Sequence, residues 1–357
     1  MIINKDIKNR LLEFIQREIP LCERTFEEIG LRIGLKEFDV IHIIRELKDN
    51  KIIREICGIF DSRRLGYAST LVAMAVEKSK IKKATTLINS HPGVSHNYLR
   101  DNYYNLWFTL VAESEEILYK TILKLVELIG VEKYMILPTL KEFKINVIFD
   151  LLNNNSLLVA EYESESNCSN MISSKDAHHL YSEKNYRSKK IKLSDLDKYI
   201  IIALQRNLPI IKKPFDKIAS QVGISTSKLF DKIKFYKNNM IMRRYSAILY
   251  HRKIGMKTNA MTVWQIDDKD INCIGAKLAS YKNITHCYQR PRFPDWNYSI
   301  YTMIHSKSKR DAKKLINELA NNIGINQYQI LFSTKELKKK RVKLFTDEFK
   351  KWNKRHL

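Results

Sequence analysis

The chain repeats itself. His96-Asn-Tyr-Leu-Arg100 returns as His286-Cys-Tyr-Gln-Arg290, 190 residues on, and Arg63-Arg-Leu-Gly66 returns as Arg252-Lys-Ile-Gly255 at an offset of 189. Phe108-Thr-Leu aligns with Tyr301-Thr-Met at 193, and Thr139-Leu-Lys-Glu142 with Ser333-Thr-Lys-Glu336 at 194. These matches keep one order while the offset drifts by a few residues. The chain is therefore two diverged copies of one unit.

Each copy opens with helical signals. Residues 26–34 are a short amphipathic helix stopped by Gly34, and residues 37–50 carry Phe38, Val40, Ile41, Ile44 and Leu47 near helical period. Residues 52–56 read as a wing strand. The second copy repeats the pair over 214–223 and 225–239, which predicts a winged helix-turn-helix in each copy. The remainder alternates as βαββαβ, a split-βαβ, ferredoxin-like pattern. In copy one the strands fall near 69–77, 93–100, 104–112 and 133–140, with helices at 81–90 and 115–129. In copy two they fall near 259–266, 285–292, 298–305 and 328–334, with helices at 270–281 and 309–323. The expected class is α+β, in six segments: helix-turn-helix 1–57, ferredoxin-like 58–150, flexible linker 151–191, helix-turn-helix 192–246, ferredoxin-like 247–340, and a basic tail 341–357. Asn, Ser and charge dominate the linker, too little apolar surface to offset ordering entropy.

No apolar run approaches the roughly 18 residues that span a bilayer, and charge at the start argues against a signal peptide, so a cytoplasmic protein is expected. Five cysteines, an odd number without a Cys-x-x-Cys spacing, argue against a disulfide framework or zinc ribbon. The net charge of +24 favours a polyanionic partner: nucleic acid, a membrane surface or a small polycarboxylate. Nine Lys/Arg against two acids over 338–357 read as a solvated helix face.

The domain order resembles that of Lrp/AsnC-type regulators. Finer motifs are similar to siroheme decarboxylases. Gly58-Ile-Phe-Asp-Ser-Arg-Arg-Leu-Gly-Tyr67, Asn89-Ser-His-Pro-Gly-Val-Ser-His-Asn-Tyr98 and Tyr104-Asn-Leu-Trp-Phe-Thr-Leu110 look like one of that family's two related subunits. His251-Arg252, Asn259-Ala-Met-Thr-Val-Trp264, His286-Cys-Tyr-Gln-Arg-Pro291 and Trp296-Asn-Tyr-Ser-Ile-Tyr-Thr-Met-Ile-His305 look like the other, so the chain resembles both subunits fused head to tail. The resemblance implies removal of CO2 from two acetates of siroheme, giving 12,18-didecarboxysiroheme on a route to heme or heme d1. It implies no added cofactor, since the iron belongs to the substrate. It also implies that the two halves pack together within one chain. Homodimer formation stays open.

Siroheme's eight carboxylates call for cations at the rim, and its flat ring for aromatic walls. Arg63, Arg64, Arg100, Arg252, Arg290 and Arg292 are candidate clamps; Tyr98, Trp107, Tyr288, Trp296 and Tyr301 are candidate ring contacts, with sheet core the competing reading for Trp107. A proton donor with pKa near neutral favours His. His251 and His286 are the expected catalytic pair, either of them also a candidate axial ligand to the substrate iron. His96 and His305 are expected to bind substrate, and His91 to end a helix. His251 and His305 have Ser62 and Ala112 as counterparts, which places the main catalytic site in copy two. A DNA-binding regulator or heme-responsive sensor is the competing function. Helix 37–50 balances Glu37, Asp39, Glu46 and Asp49 against few cations, a poor face for phosphates, whereas Lys228, Lys232, Lys234 and Lys237 leave DNA binding by copy two open.

Overall fold

The computed structural model describes residues 5–145, 192–250 and 258–357. The expected linker 151–191 and the candidates His251 and Arg252 lie outside the described residues.

Copy one runs α1 (Lys5–Arg17), α2 (Thr25–Ile33), α3 (Glu37–Asp49), β1 (Ile53–Phe60), β2 (Ala68–Met74), α4 (Ile81–Ser90), β3 (Val94–Arg100), β4 (Leu106–Ala112), α5 (Glu115–Ile129), β5 (Tyr134–Pro138) and β6 (Lys141–Ile145). Copy two runs α6 (Asp195–Leu204), α7 (Pro214–Val222), α8 (Thr226–Asn238), β7 (Met242–Leu249), β8 (Thr258–Trp264), α9 (Ile271–Ser280), β9 (Ile284–Gln289), β10 (Ile300–Ser306), α10 (Lys309–Ile323) and β11 (Tyr328–Lys339), then α11 (Asp347–His356). Local chemistry sets the helix ends. Ser114 and Ser308 cap α5 and α10 by accepting from Ile117 and Asp311 N–H, and Gly130 and Gly324 end them in the left-handed region. No described helix is long and apolar enough to cross a membrane.

Pairing between the copies departs from the sequence reading. β1 is not a wing within its own domain; it pairs antiparallel with β7 of the other copy. The two helix-turn-helix units consequently share one core, with Phe26, Ile44, Phe215 and Tyr236 buried together. The other strands form one sheet in the order β5-β2-β4-β3-β11-β8-β10-β9-β6. β11 is continuous, its first part on β8 and its second on β3. The corresponding stretch of copy one breaks at Thr139-Leu140 into β5, which pairs with β2, and β6, which pairs with β9. Since β5 and β6 are adjacent in the chain, the chain itself joins the two ends of the sheet. Helices α4 and α5 cover one half of its outer face and α9 and α10 the other. The inner face holds residues of both copies: Ala73, Tyr104, Trp107, Met135, Trp296 and Tyr301 among them.

The strand register also corrects one repeat match. Trp107 stands opposite Tyr98, and Tyr301 opposite Tyr288. β4 and β10 thus correspond at an offset of 194, which makes Trp107 the counterpart of Tyr301 and Val111, not Ala112, that of His305. A slip of one residue exchanges the faces of a strand, and Phe108 indeed lies in the helix-side core.

The basic tail is not a solvated face throughout. On α11, Phe349 and Trp352 are buried; Trp352 donates to Ser90 Oγ at 3.0 Å and packs edge-on against His91 at 4.4 Å. His91 caps the end of α4, as expected, but burial and Lys338 hold its pKa down to about 3, so it carries no charge for the helix dipole.

Candidate active site

Strand β3 presents His96, Tyr98 and Arg100 at alternate positions, and β9 presents His286 and Tyr288 with Arg290 just past its end; period two puts each three on one face. Their cross-strand neighbours Trp107 and Tyr301 identify that face as the inner one. In copy one, His96 stacks on Tyr98 at 6.2 Å and Arg100 lies over Tyr98 at 5.6 Å. In copy two, His286 meets Tyr288 at 6.1 Å and Arg290 lies over Tyr288 at 5.1 Å.

Both arginines are buried, at 5% and 7% exposure, and each reaches into the other copy: Arg100 Nη1 donates to Leu331 O at 2.7 Å, Arg290 Nη1 to Leu137 O. Neither takes part in an ion pair, and neither Nε has a hydrogen-bond partner, among the described residues. Burial lowers the pKa of both, Arg100 to about 10. A buried guanidinium with a free donor is costly unless an anion arrives to accept from it.

The histidines are fixed in matching ways. Thr285 donates to Met303 O at 3.1 Å, so its hydroxyl oxygen accepts from His286 Nδ1 at 2.9 Å. This network assigns the tautomer and leaves Nε2 to face a substrate. Ser95 Oγ contacts His96 Nδ1 at 2.9 Å and Thr109 Oγ1 at 2.5 Å. Burial, followed by Lys339, Arg243, Arg290 and Lys144, brings the His286 pKa down to about 4. Lys339 is paired by backbone with His96, so it links the two ladders.

Asp61, Arg63 and Glu142 of copy one, with Arg243 of copy two, form a charged rim beside the β9 ladder. Arg63 contacts Glu142 at 2.5 Å, Arg243 contacts Asp61 at 2.7 Å, and Glu142 stands in register with Tyr288. Burial would raise the Asp61 pKa, but Arg243 and Arg63 outweigh it and the carboxyl stays ionised. Glu336 takes the place of Glu142 opposite Tyr98. Lys144 and Lys338, buried to a pKa of about 8, donate across the seam to Tyr281 O and to Asn89 and His91 O.

The structure thus brings together His96, Tyr98, Arg100, His286, Tyr288, Arg290 and Arg63. Tyr301 adjoins them, bonded by Trp296 Nε1 at 2.7 Å, and Trp296 packs on Trp107. His305 shares the face of Tyr301 and Met303, one rung beyond the Met303–His286 pair. Arg292 stands apart, bonded to Asp268 and Ile266 O, and Arg64 offers its backbone N–H to Asp61. Tyr250, the last described residue before His251, bonds Ile52 O at the end of the β1–β7 ribbon opposite Asp61 and Arg243. Sequence reasoning missed Asp61, Glu142, Arg243, Lys339 and Tyr104, whose hydroxyl donates to Asp295 at 2.6 Å. Of these, Glu142 carried a signal, since it closes a repeat match. Among the described residues no three His, Cys, Asp or Glu converge as metal ligands.

Residues 8–54 and 197–243 match the family described as siroheme decarboxylase NirDL-like HTH domain, and residues 64–144 and 253–338 the AsnC-like ligand binding domain. The siroheme decarboxylase of Hydrogenobacter thermophilus is 32% identical over 96% of each chain. The chain belongs to the siroheme decarboxylase family. Family members built as two chains match halves of it: the alpha subunit from Desulfovibrio desulfuricans is 40% identical over 41% of this chain and 84% of its own, and the beta subunit from Methanosarcina barkeri 38% over 42% and 97%. A crystal structure of the siroheme decarboxylase NirDL covers 98% of this chain and 97% of its own, with a TM-score of 0.73 and 28% identity. A second, of NirDL with an iron-uroporphyrin III analogue, superposes with a TM-score of 0.72 over the same shares.

Proposed function

We propose that this chain converts siroheme to 12,18-didecarboxysiroheme, on a route to heme or heme d1, with no cofactor beyond the iron that the substrate brings. The observation that carries the reading is the pair of buried arginines, Arg100 and Arg290, whose Nε donors have no partner among the described residues and whose guanidinium groups lie over Tyr98 and over Tyr288 and Tyr301. A flat polycarboxylate satisfies both features.

In each step the bond between the acetate CH2 and its carboxylate breaks and CO2 leaves. The electron pair spreads into the macrocycle, and a proton at that carbon makes a methyl. Nothing is oxidised or reduced overall. The chain's part is to orient carboxylates on arginine, exclude water with the aromatic walls, and hold a proton at a histidine Nε2.

The test is anaerobic incubation of the purified chain with siroheme, followed by absorbance and mass. A product two CO2 units lighter is expected; folded protein that leaves the mass unchanged overturns the reading. A DNA-binding regulator fits less well. Lys232 and Lys237 on α8 are engaged with Asp197 and Glu18, and α3 exposes Phe38 at 76% beside its acids.

A further inference from the structure

The two ladders are related by an approximate two-fold axis, and so are their surroundings. Arg100 and Arg290 exchange bonds to Leu331 and Leu137; Glu336 and Glu142 face Tyr98 and Tyr288; Trp107 and Tyr301 back them. The relation fails at a few places: Ser95 against Thr285, Thr109 against Met303, Val111 against His305, Ile145 against Lys339. Lys339 is paired by backbone with His96 and is also among the cations that bear on His286, so the two ladders share one cationic neighbourhood.

The proposed substrate has a matching property. In the type III arrangement of side chains, a half-turn about the line through meso carbons C5 and C15 exchanges the C12 acetate with the C18 acetate, and the C13 propionate with the C17 propionate. The other two rings do not obey this operation, since it exchanges an acetate with a propionate there. An approximate two-fold site therefore suits this ring better than an exact one would.

On the reading that siroheme is the substrate, the geometry points to a division of labour. One tetrapyrrole binds astride the axis, and each ladder serves one acetate, His96 donating the proton for one decarboxylation and His286 for the other. The carboxylate being lost lies near one ladder, and its departing electron pair is taken by the ring. The histidine Nε2 delivers one proton to the resulting CH2 carbon and is reprotonated from solvent. Both acetates react without the half-finished product having to leave and return turned over. This departs from the sequence-based expectation of one catalytic half and one supporting half: the Ser/Thr-held histidine, the tyrosine and the buried arginine are all present in copy one.

The test uses the full chain with His96→Gln and His286→Gln. Each variant is first titrated with iron-uroporphyrin III by absorbance, then incubated anaerobically with siroheme. Monodecarboxylated product is resolved by chromatography and its remaining acetate located by NMR. Each variant is expected to bind the analogue, to slow one decarboxylation about 100-fold, and to leave the other within a few-fold. The two variants should accumulate opposite isomers. Ser95→Ala and Thr285→Val, which release the ring nitrogens without removing the histidines, should slow the same respective steps; they decide the matter if a histidine variant fails to bind. The same isomer from both variants overturns the proposal, as does loss of both steps in either one. Absence of any CO2 release by the unaltered chain counts against siroheme as substrate, whereas release with the wrong isomers counts against the division of labour alone.

Discussion

Burial and the cations Lys339, Arg243, Arg290 and Lys144 keep His286 neutral at pH 7, with its pKa at about 4, and so without a proton at Nε2 to give. A ligand carrying eight carboxylates cancels those cations and reverses the sign of the local field. The pKa then rises toward or above neutral, and the protein takes up a proton as it binds. Calorimetry of iron-uroporphyrin III binding at pH 7, in two buffers of different ionisation heat, should report net proton uptake, reduced in His286→Gln. The affinity should weaken as pH rises, since the uptake then becomes harder. At this scale the sequence was legible where residues recur: the His-x-Tyr-x-Arg ladder shows itself by being written twice. Asp61, Arg243 and Lys339 were not, because a functional charge looks like any other in a chain with 63 Lys/Arg and 39 Asp/Glu.

Among the elements, α4, α5 and α10 have the spans their apolar periodicity indicates, and Ser114 and Ser308 mark the starts of the last two, because both signals are local. β6 and the β1–β7 ribbon were hidden because their partners lie in the other copy, and local pattern does not name a partner. α11 was hidden by its charge: two aromatic residues, Phe349 and Trp352, dock it, and nine cations nearby mask them. Gln205 fastens the approach to this helix by donating to Leu344 O at 3.2 Å and accepting from its N–H at 2.8 Å. Trp352→Ala should cost about 3 kcal/mol in chemical denaturation. A loss below about 1 kcal/mol would mean that the helix is a passive appendage.

At the scale of the molecule, each half contributes strands the other cannot do without. β3 is completed by β11, β9 by β6, and the helix-turn-helix pair shares a single core. Residues 1–150 and 192–357, produced as separate chains in one cell, should assemble one to one, seen by native mass spectrometry. Each produced alone should aggregate or self-pair, and stable monomers of either half would contradict this account of the fold.

The joined ends of the sheet also set a clock. β3 and β6 are finished when residue 145 has been made, but β9 and β11, which cover them, end at 289 and 339. At roughly 5–20 residues per second, about 200 further residues take roughly 10–40 s. For that time a nascent chain shows open strand edges, the surfaces most prone to pair with a neighbour's. The same geometry that leaves only β5 and β6 at the ends of the finished sheet makes its synthesis the moment of greatest exposure. A slowly translated message, or a truncated one, is where half-made chains would capture each other's strands.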